Sequence, residues 1–186
     1  MKITGISGII ILTLFPILLS AQTITLHYAI HQGDINKVRE LLNKGYSLHK
    51  KDRIGNTALN LAAFSGNIEM VKLLVDYGAG IDDKDDRGNT ALMLSAQKGY
   101  SKIVKYLLDN GAYVNETGKN GRTSLMIAAA SKITSNNVII IEDLIMYGAD
   151  INQTDDNGNT ALDYASTKEI ADAIQLAGGV KGKELK

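Results

Sequence analysis

The sequence predicts an all-α solenoid assembled from stacked helix-turn-helix units joined by β-turn or hairpin-like loops. Three observations predict it. Asn56-Thr57-Ala58-Leu59, Asn89-Thr90-Ala91-Leu92 and Arg122-Thr123-Ser124-Leu125 recur at intervals of 33 residues, and Asn159-Thr160-Ala161-Leu162 follows after 37. A glycine precedes each segment (Gly55, Gly88, Gly121, Gly158). Two short runs of helical periodicity follow the segments, and neither run buries its apolar face alone. A period of this length marks a repeat array, and such an array needs at least about three copies to bury a continuous core.

Within one repeat, Leu59, Ala62 and Ala63 form the stripe of a first helix, and Ile68, Val71, Leu74 and Val75 that of a second. Gly45, Gly78, Gly111 and Gly148 fall just past the second helices, where a left-handed residue closes a helix. The stretches Asp82 to Asn89 and Asn115 to Arg122 read as extended turns between repeats. Gly178-Gly179 ends the last helix, and the lysine-rich segment 180–186 reads as a flexible tail. One repeat is irregular. It lacks its mid-repeat glycine and carries four extra residues (37 against 33), which fall in Ser131 to Asn137 between its two helices. Insertions in solenoids map to loops, so this one reads as a surface loop or a partner contact.

In these positions the chain resembles the ankyrin-repeat family, whose repeat runs D-x-x-G-x-T-P-L-H-x-A-A-x-x-G-x-x-x-x-V-x-x-L-L-x-x-G-A. Asp52 to Ala79 follow it nearly throughout and Asp85 to Ala112 almost as well, while Gly118 to Ala149 and Asp155 to Gly179 are looser. Leu26-His27-Tyr28-Ala29 through Val38, Leu41, Leu42 and Gly45 fit as a degenerate first copy. The resemblance implies about five repeats including two degenerate caps, at 22–51, 52–84, 85–117, 118–154 and 155–179, forming one domain over 22–179. Two family positions differ. The proline that opens each first helix is replaced by Ala58, Ala91, Ser124 and Ala161, which forgoes a preset φ. The family histidine becomes Asn60, Met93, Met126 and Asp163; Asn60 and Asp163 are expected to hydrogen-bond Thr57 and Thr160, and the methionines to fill apolar gaps.

The 186 residues carry 20 basic and 20 acidic side chains, so no net field recruits nucleic acid or anionic lipid. Without cysteine there is no disulfide framework and no thiolate metal site, and stability rests on stacking. Residues 1–21 read as a secretory signal peptide: Met1-Lys2, an apolar run from Ile9 to Leu19, then Ser20-Ala21 before Gln22. This predicts export to a periplasm or to the exterior, with no membrane attachment after cleavage. An uncleaved N-terminal anchor is the alternative, although Ile3 to Leu19 is 17 residues against the roughly 20 a spanning helix needs.

Reactive constellations are few. His27 and His31 lie four apart, on one helix face, which opens a metal-binding or small-molecule alternative that lacks a third ligand. The acidic runs Asp82 to Gly88 and Asp150 to Gly158 lack the glutamate at position twelve of a calcium loop. Asn115-Glu116-Thr117 fits a glycosylation acceptor. No serine, threonine or lysine stands in a nucleophile motif, and the glycines follow the repeat, not a phosphate loop. The reading is non-catalytic, with no cofactor.

What remains is a binding surface. The resemblance implies partner contacts at the turn tips and along the concave side of the first helices. Carried over position by position, these are Arg53, Ile54, Asn56, Phe64 and Ser65; Asp86, Arg87, Asn89, Gln97 and Lys98; Lys119, Asn120 and Arg122; and Asp156, Asn157 and Asn159. Phe64 reads either as an exposed anchor with Ile54 beside it or as capping core against the first repeat. The chain is also similar to short exported bacterial ankyrin proteins. That similarity implies a monomer binding a protein, such as an envelope enzyme; a secreted effector acting on a foreign target is the alternative.

Overall fold

A computed structural model describes residues 25–132 and 136–185. The signal-peptide segment 1–21 and the middle of the insertion lie outside them. Among the described residues nine α-helices alternate in two layers. They are α1 (Leu26–His31), α2 (Ile35–Asn43), α3 (Ala58–Ser65), α4 (Ile68–Asp76), α5 (Ala91–Gln97), α6 (Ser101–Asp109), α7 (Ser124–Ala130), α8 (Asn136–Met146) and α9 (Lys168–Leu176). In the last repeat a 3-10 turn, Ala161–Tyr164, takes the place of the first helix.

Helices α1, α3, α5, α7 and the 3-10 turn stack as an inner layer, and α2, α4, α6, α8 and α9 as an outer one. The inner layer buries Ala58, Ala62, Ala63, Ala91, Ala96, Ala128 and Ala129, whose small side chains let neighbouring backbones approach closely. The outer layer fills its seam with Val71, Leu74, Ile103, Leu107, Ile140, Ile141 and Leu144. Each fully buried Leu or Ile contributes about 1.5–3 kcal/mol. The inner layer also buries Ile30, Leu59, Leu92, Met93, Leu125 and Met126, and the exposed flank of α3, α5 and α7 forms the concave side, where the cavities lie.

Local signals place each inner helix. Thr57, Thr90 and Thr123 sit in extended backbone, and their hydroxyls accept from the backbone N–H groups of Asn60, Met93 and Met126 at 3.1, 3.3 and 3.4 Å. Gly45, Gly78, Gly111 and Gly148 adopt the expected left-handed φ, between 84° and 88°. Met93 and Met126 are buried, as apolar fillers. Asp163 bonds Thr160 as expected, accepting its N–H at 2.9 Å. Asn60 differs from expectation: its backbone N–H bonds Thr57, while its side-chain amide donates across the repeat boundary to the Asn89 carbonyl at 2.9 Å.

A second boundary device repeats along the outer edge. Asp82, Asn115 and Asn152 occupy one repeat position, and their side-chain oxygens accept from the N–H groups of Tyr113, Asp150 and Val180 in the following repeat, at 3.0, 2.8 and 2.9 Å. Asn115 also donates its amide nitrogen to the Gly148 carbonyl at 3.0 Å. That is the atom a glycan would occupy, and the linkage would leave it a single N–H with which to keep the bond to Gly148.

The segment expected to be a free tail is described as far as Leu185, and it docks on the last repeat. Thr160 donates its hydroxyl to the Val180 carbonyl (2.6 Å), and Asp163 accepts from the Gly182 N–H (2.8 Å). Gly182 is buried with its Cα side against the Gly158 carbonyl, a space no larger residue fits. The flanks of the insertion are tied in as well. Ser131 bonds the Gln97 carbonyl at 3.2 Å, and the buried Asn137 donates to the Ser131 carbonyl at 2.8 Å.

Candidate functional site

The turn tips owe their shape to one carboxylate per repeat. Asp52 Oδ1 accepts from the N–H groups of Ile54 and Asn56 at 2.9 and 2.8 Å, and its other oxygen from the Asn56 amide at 3.0 Å. Asp85 does the same with Arg87 and Asn89, whereas Asp155 Oδ1 accepts from the Asn157 and Asn159 N–H groups and its other oxygen from the Tyr164 hydroxyl. In the fourth repeat Gly118 stands at the aspartate position, and the turn closes through Asn120 at a φ of 62°, a conformation Asn tolerates better than most residues.

Asp52 and Asp155 are held below the ordinary carboxylate value. Partial burial pushes Asp52 up, but the Asn56 backbone and side chain outweigh it; for Asp155, burial is outweighed by the Tyr164 hydroxyl and the Asn159 and Asn157 N–H groups. For Asp163, burial is outweighed by the Gly182 and Thr160 N–H groups. His27, half-buried in α1, is lowered from 6.5, chiefly by desolvation and against the Asp52 charge. All four shifts act in one direction. The unfolded chain takes up protons more readily than the folded one, first at His27 from about 6.5 and then at the aspartates from about 3.8. The thermal midpoint, followed by circular dichroism, is therefore expected to hold steady above neutrality, to dip on acidification through the histidine range, and to fall steeply below pH ~4.

Two adjoining cavities run along the concave side. The upper one, about 850 Å³, lies over α3 and α5 and is walled by Ile54, Leu61, Phe64, Leu94, Tyr100 and Arg87. The lower one, about 400 Å³, lies over α7, between Lys119, Arg122, Ile127 and Lys132. Asn89, Gln97 and Lys119 line both, which makes one groove. Phe64 is 47% exposed and Ile54 71%, so Phe64 stands in the groove instead of packing under the first repeat as capping core. The Lys98 ammonium rests 4.1 Å from the Phe64 ring centroid and covers one of its faces.

The sequence-predicted site residues divide by what already holds them. Arg53, Ile54, Phe64, Arg87, Gln97, Lys98 and Lys119 line the groove or the cavity beside its N-terminal end. Asn56, Asn89 and Asn159 are turn builders, bound to Asp52, Asp85 and Asp155, so their roles are structural first. Ser65 donates to the Ala62 carbonyl, and Asp86 pairs with Lys51 at 2.7 Å. Asn120 gives its carbonyl to the Asp156 N–H at 3.0 Å. Asp156 and Asn157 are exposed on the last tip and line neither cavity. Arg122 stacks over the Tyr164 ring at 4.3 Å, and its Nε is buried without a partner.

Sequence reasoning missed Leu61, Leu94, Tyr100 and Ile127, whereas Lys132 belongs to the insertion read as a loop or partner contact. Tyr100 follows the mid-repeat Gly99 at the place where Asn67 caps the outer helix of the preceding repeat, and an aromatic there has no capping role. That mismatch was a readable signal. Among the described residues no three or more His, Cys, Asp or Glu side chains gather to hold a metal ion, and no helix is long and apolar enough to cross a membrane.

Family comparison adds to this geometry. A family model for ankyrin repeats (three copies) matches residues 26–118, and one for a single ankyrin repeat matches 120–156. The chain belongs to the ankyrin-repeat family. No curated protein matches it significantly. Ankyrin repeats are in general protein–protein interaction modules, and proteins built from them are typically non-catalytic.

Proposed function

We propose that this ankyrin chain is an exported, non-catalytic monomer that binds a protein partner in the groove formed by α3, α5 and α7. The observation that carries the reading is the continuous groove itself, with Phe64 and Ile54 exposed at its upper end and unpaired cations along it. A rigid scaffold presents these side chains already ordered, so association gives up little conformational entropy. Anchors in groove centres supply most of an interface's energy, and Phe64 and Arg87 are of the residue types that do so. Export rests on the apolar character of residues 9–19 and the Ser20-Ala21 junction.

The full chain, tagged at its C-terminus and expressed in its native host, tests both parts. Intact mass of the recovered protein is expected to begin at Gln22. Its captured partner is expected to drop by about tenfold or more when Phe64→Ala and Arg87→Ala are combined, and to persist in the outer-face variant Lys102→Glu. Equal capture by the groove variant and its parent would remove the groove from the interface.

A further inference from the structure

From the groove's charge we infer that its partner segment is an extended acidic peptide carrying an apolar anchor; this rests on the groove-binding reading above. The chain is neutral overall, yet the groove is not. Arg87, Lys98, Lys119, Arg122 and Lys132 line the two cavities, and the one carboxylate among the lining residues is Asp85. Asp85 is 6% exposed, and its oxygens are occupied by Arg87 N–H, Asn89 N–H and the Asn89 amide. It neutralises little of what a ligand meets. None of the five cations takes part in an ion pair among the described residues. The compensating acids stand elsewhere: Glu40, Glu69 and Asp109 pair with lysines on the outer helices, and Glu116 with Lys84 at the repeat boundary.

The two cavities differ in what they offer. The upper one has an apolar wall of Ile54, Leu61, Phe64 and Leu94, suited to a Leu or Phe side chain. The lower one gathers Lys119, Lys132 and Arg122, whose buried Nε–H has no acceptor. The two lysine ammonium groups there offer charge-assisted donors to a carboxylate. Phe64 stands on α3 and the cationic cavity lies over α7, two helix spacings of about 8–10 Å away; an extended chain advances about 3.3 Å per residue, so anchor and acid fall about five to six positions apart. A single-stranded nucleic acid fits less well. Lys98 already covers a face of Phe64 where a base would stack, and an aliphatic wall gives bases nothing to pair with.

The test uses the full chain and four fluorescent probes read by anisotropy. They are an extended Glu/Asp-rich peptide of about twelve residues with a Leu-Phe pair about five positions from a Glu, the same peptide with Gly-Ser for Leu-Phe, its charge-reversed Lys-rich counterpart, and a single-stranded RNA of similar length. The first probe is expected to bind at least about tenfold tighter than each of the others, to weaken with salt, and to lose about tenfold affinity in Lys119→Glu and in Phe64→Ala but not in Lys102→Glu. Equal or tighter binding of the RNA or the Lys-rich peptide would overturn the inference, as would selective binding that ignores the groove substitutions. Absence of binding by every probe also overturns it, whereas the groove reading stands or falls separately on whether the captured native partner is lost with Phe64→Ala and Arg87→Ala.

Discussion

Leu107→Ala is expected to lower the unfolding free energy by about 3 kcal/mol. Leu107 lies in α6, fully buried, and belongs to a set that holds the same place in successive repeats: Leu41, Leu74, Leu107 and Leu144. Truncating it removes three heavy atoms from a seam with helices on either side, and close-packed neighbours cannot collapse into the gap without disturbing their own caps. Position in the array modulates the loss. A repeat touches only its neighbours, so stability is a sum of repeat terms and interface terms. Leu107 sits between α4 and α8, whereas Leu41 in α2 has only α4 on its stacking side among the described residues. Leu41→Ala is therefore expected to lose less, and Leu176→Ala, at a site 90% exposed, to change stability by under about 0.5 kcal/mol. Urea melts of the three variants, read at 222 nm, check the ordering. Equal losses at Leu41 and Leu107 would contradict the nearest-neighbour account.

The part of this fold legible in the sequence is the part written within one repeat. The phase of the apolar stripes in α3 and α4, the threonine at each inner cap and the glycine after each outer helix are local rules, so four copies announced them independently. What escaped is what passes between repeats. Asn60 was assigned to its own Thr57 because the two are three residues apart, yet its amide reaches Asn89, 29 residues on. Arg122 read as a free tip cation, and the Tyr164 ring beneath it stands 42 positions away. The tail read as frayed because Val180 to Lys186 has no helical pattern; its anchors, Thr160 and Asp163, were known only as members of the last repeat motif. Some of this was recoverable. Asp82, Asn115 and Asn152 recur at the repeat offset with no role inside their own repeats, and an unexplained polar residue at a fixed period points to a bond across the boundary. The groove was legible by position but not by sign, because neutrality of the whole chain concealed that lysines on the outer helices are paired while, among the described residues, the cations lining the groove are not.

Gly66→Ala is expected to damage both stability and the groove, by a route that a matched glycine isolates. Gly66 ends α3 at a φ of 77°, where an L side chain loses about 1 kcal/mol or more to backbone strain. A Cβ placed there would also lie 2.6 Å from Cζ of Tyr100 and 2.9 Å from both its Cε atoms. The ring cannot keep its position, and it is the ring that joins the hydrophobic core to the wall of the upper cavity. Gly78, at a φ of 85° after α4, has the same backbone demand and nothing within 4 Å of its missing Cβ. Gly78→Ala therefore reports the left-handed strain alone, and the excess loss in Gly66→Ala reports displacement of Tyr100, about 1–2 kcal/mol beyond it. Two readouts separate the effects: urea midpoints of both variants, and partner capture under conditions where both remain folded. Gly78→Ala is expected to retain the partner, and Gly66→Ala to weaken it, because the wall that faces Phe64 has moved. Equal midpoints for the two variants would mean that Tyr100 gives way freely, and the upper cavity would then be a soft surface instead of a preformed one.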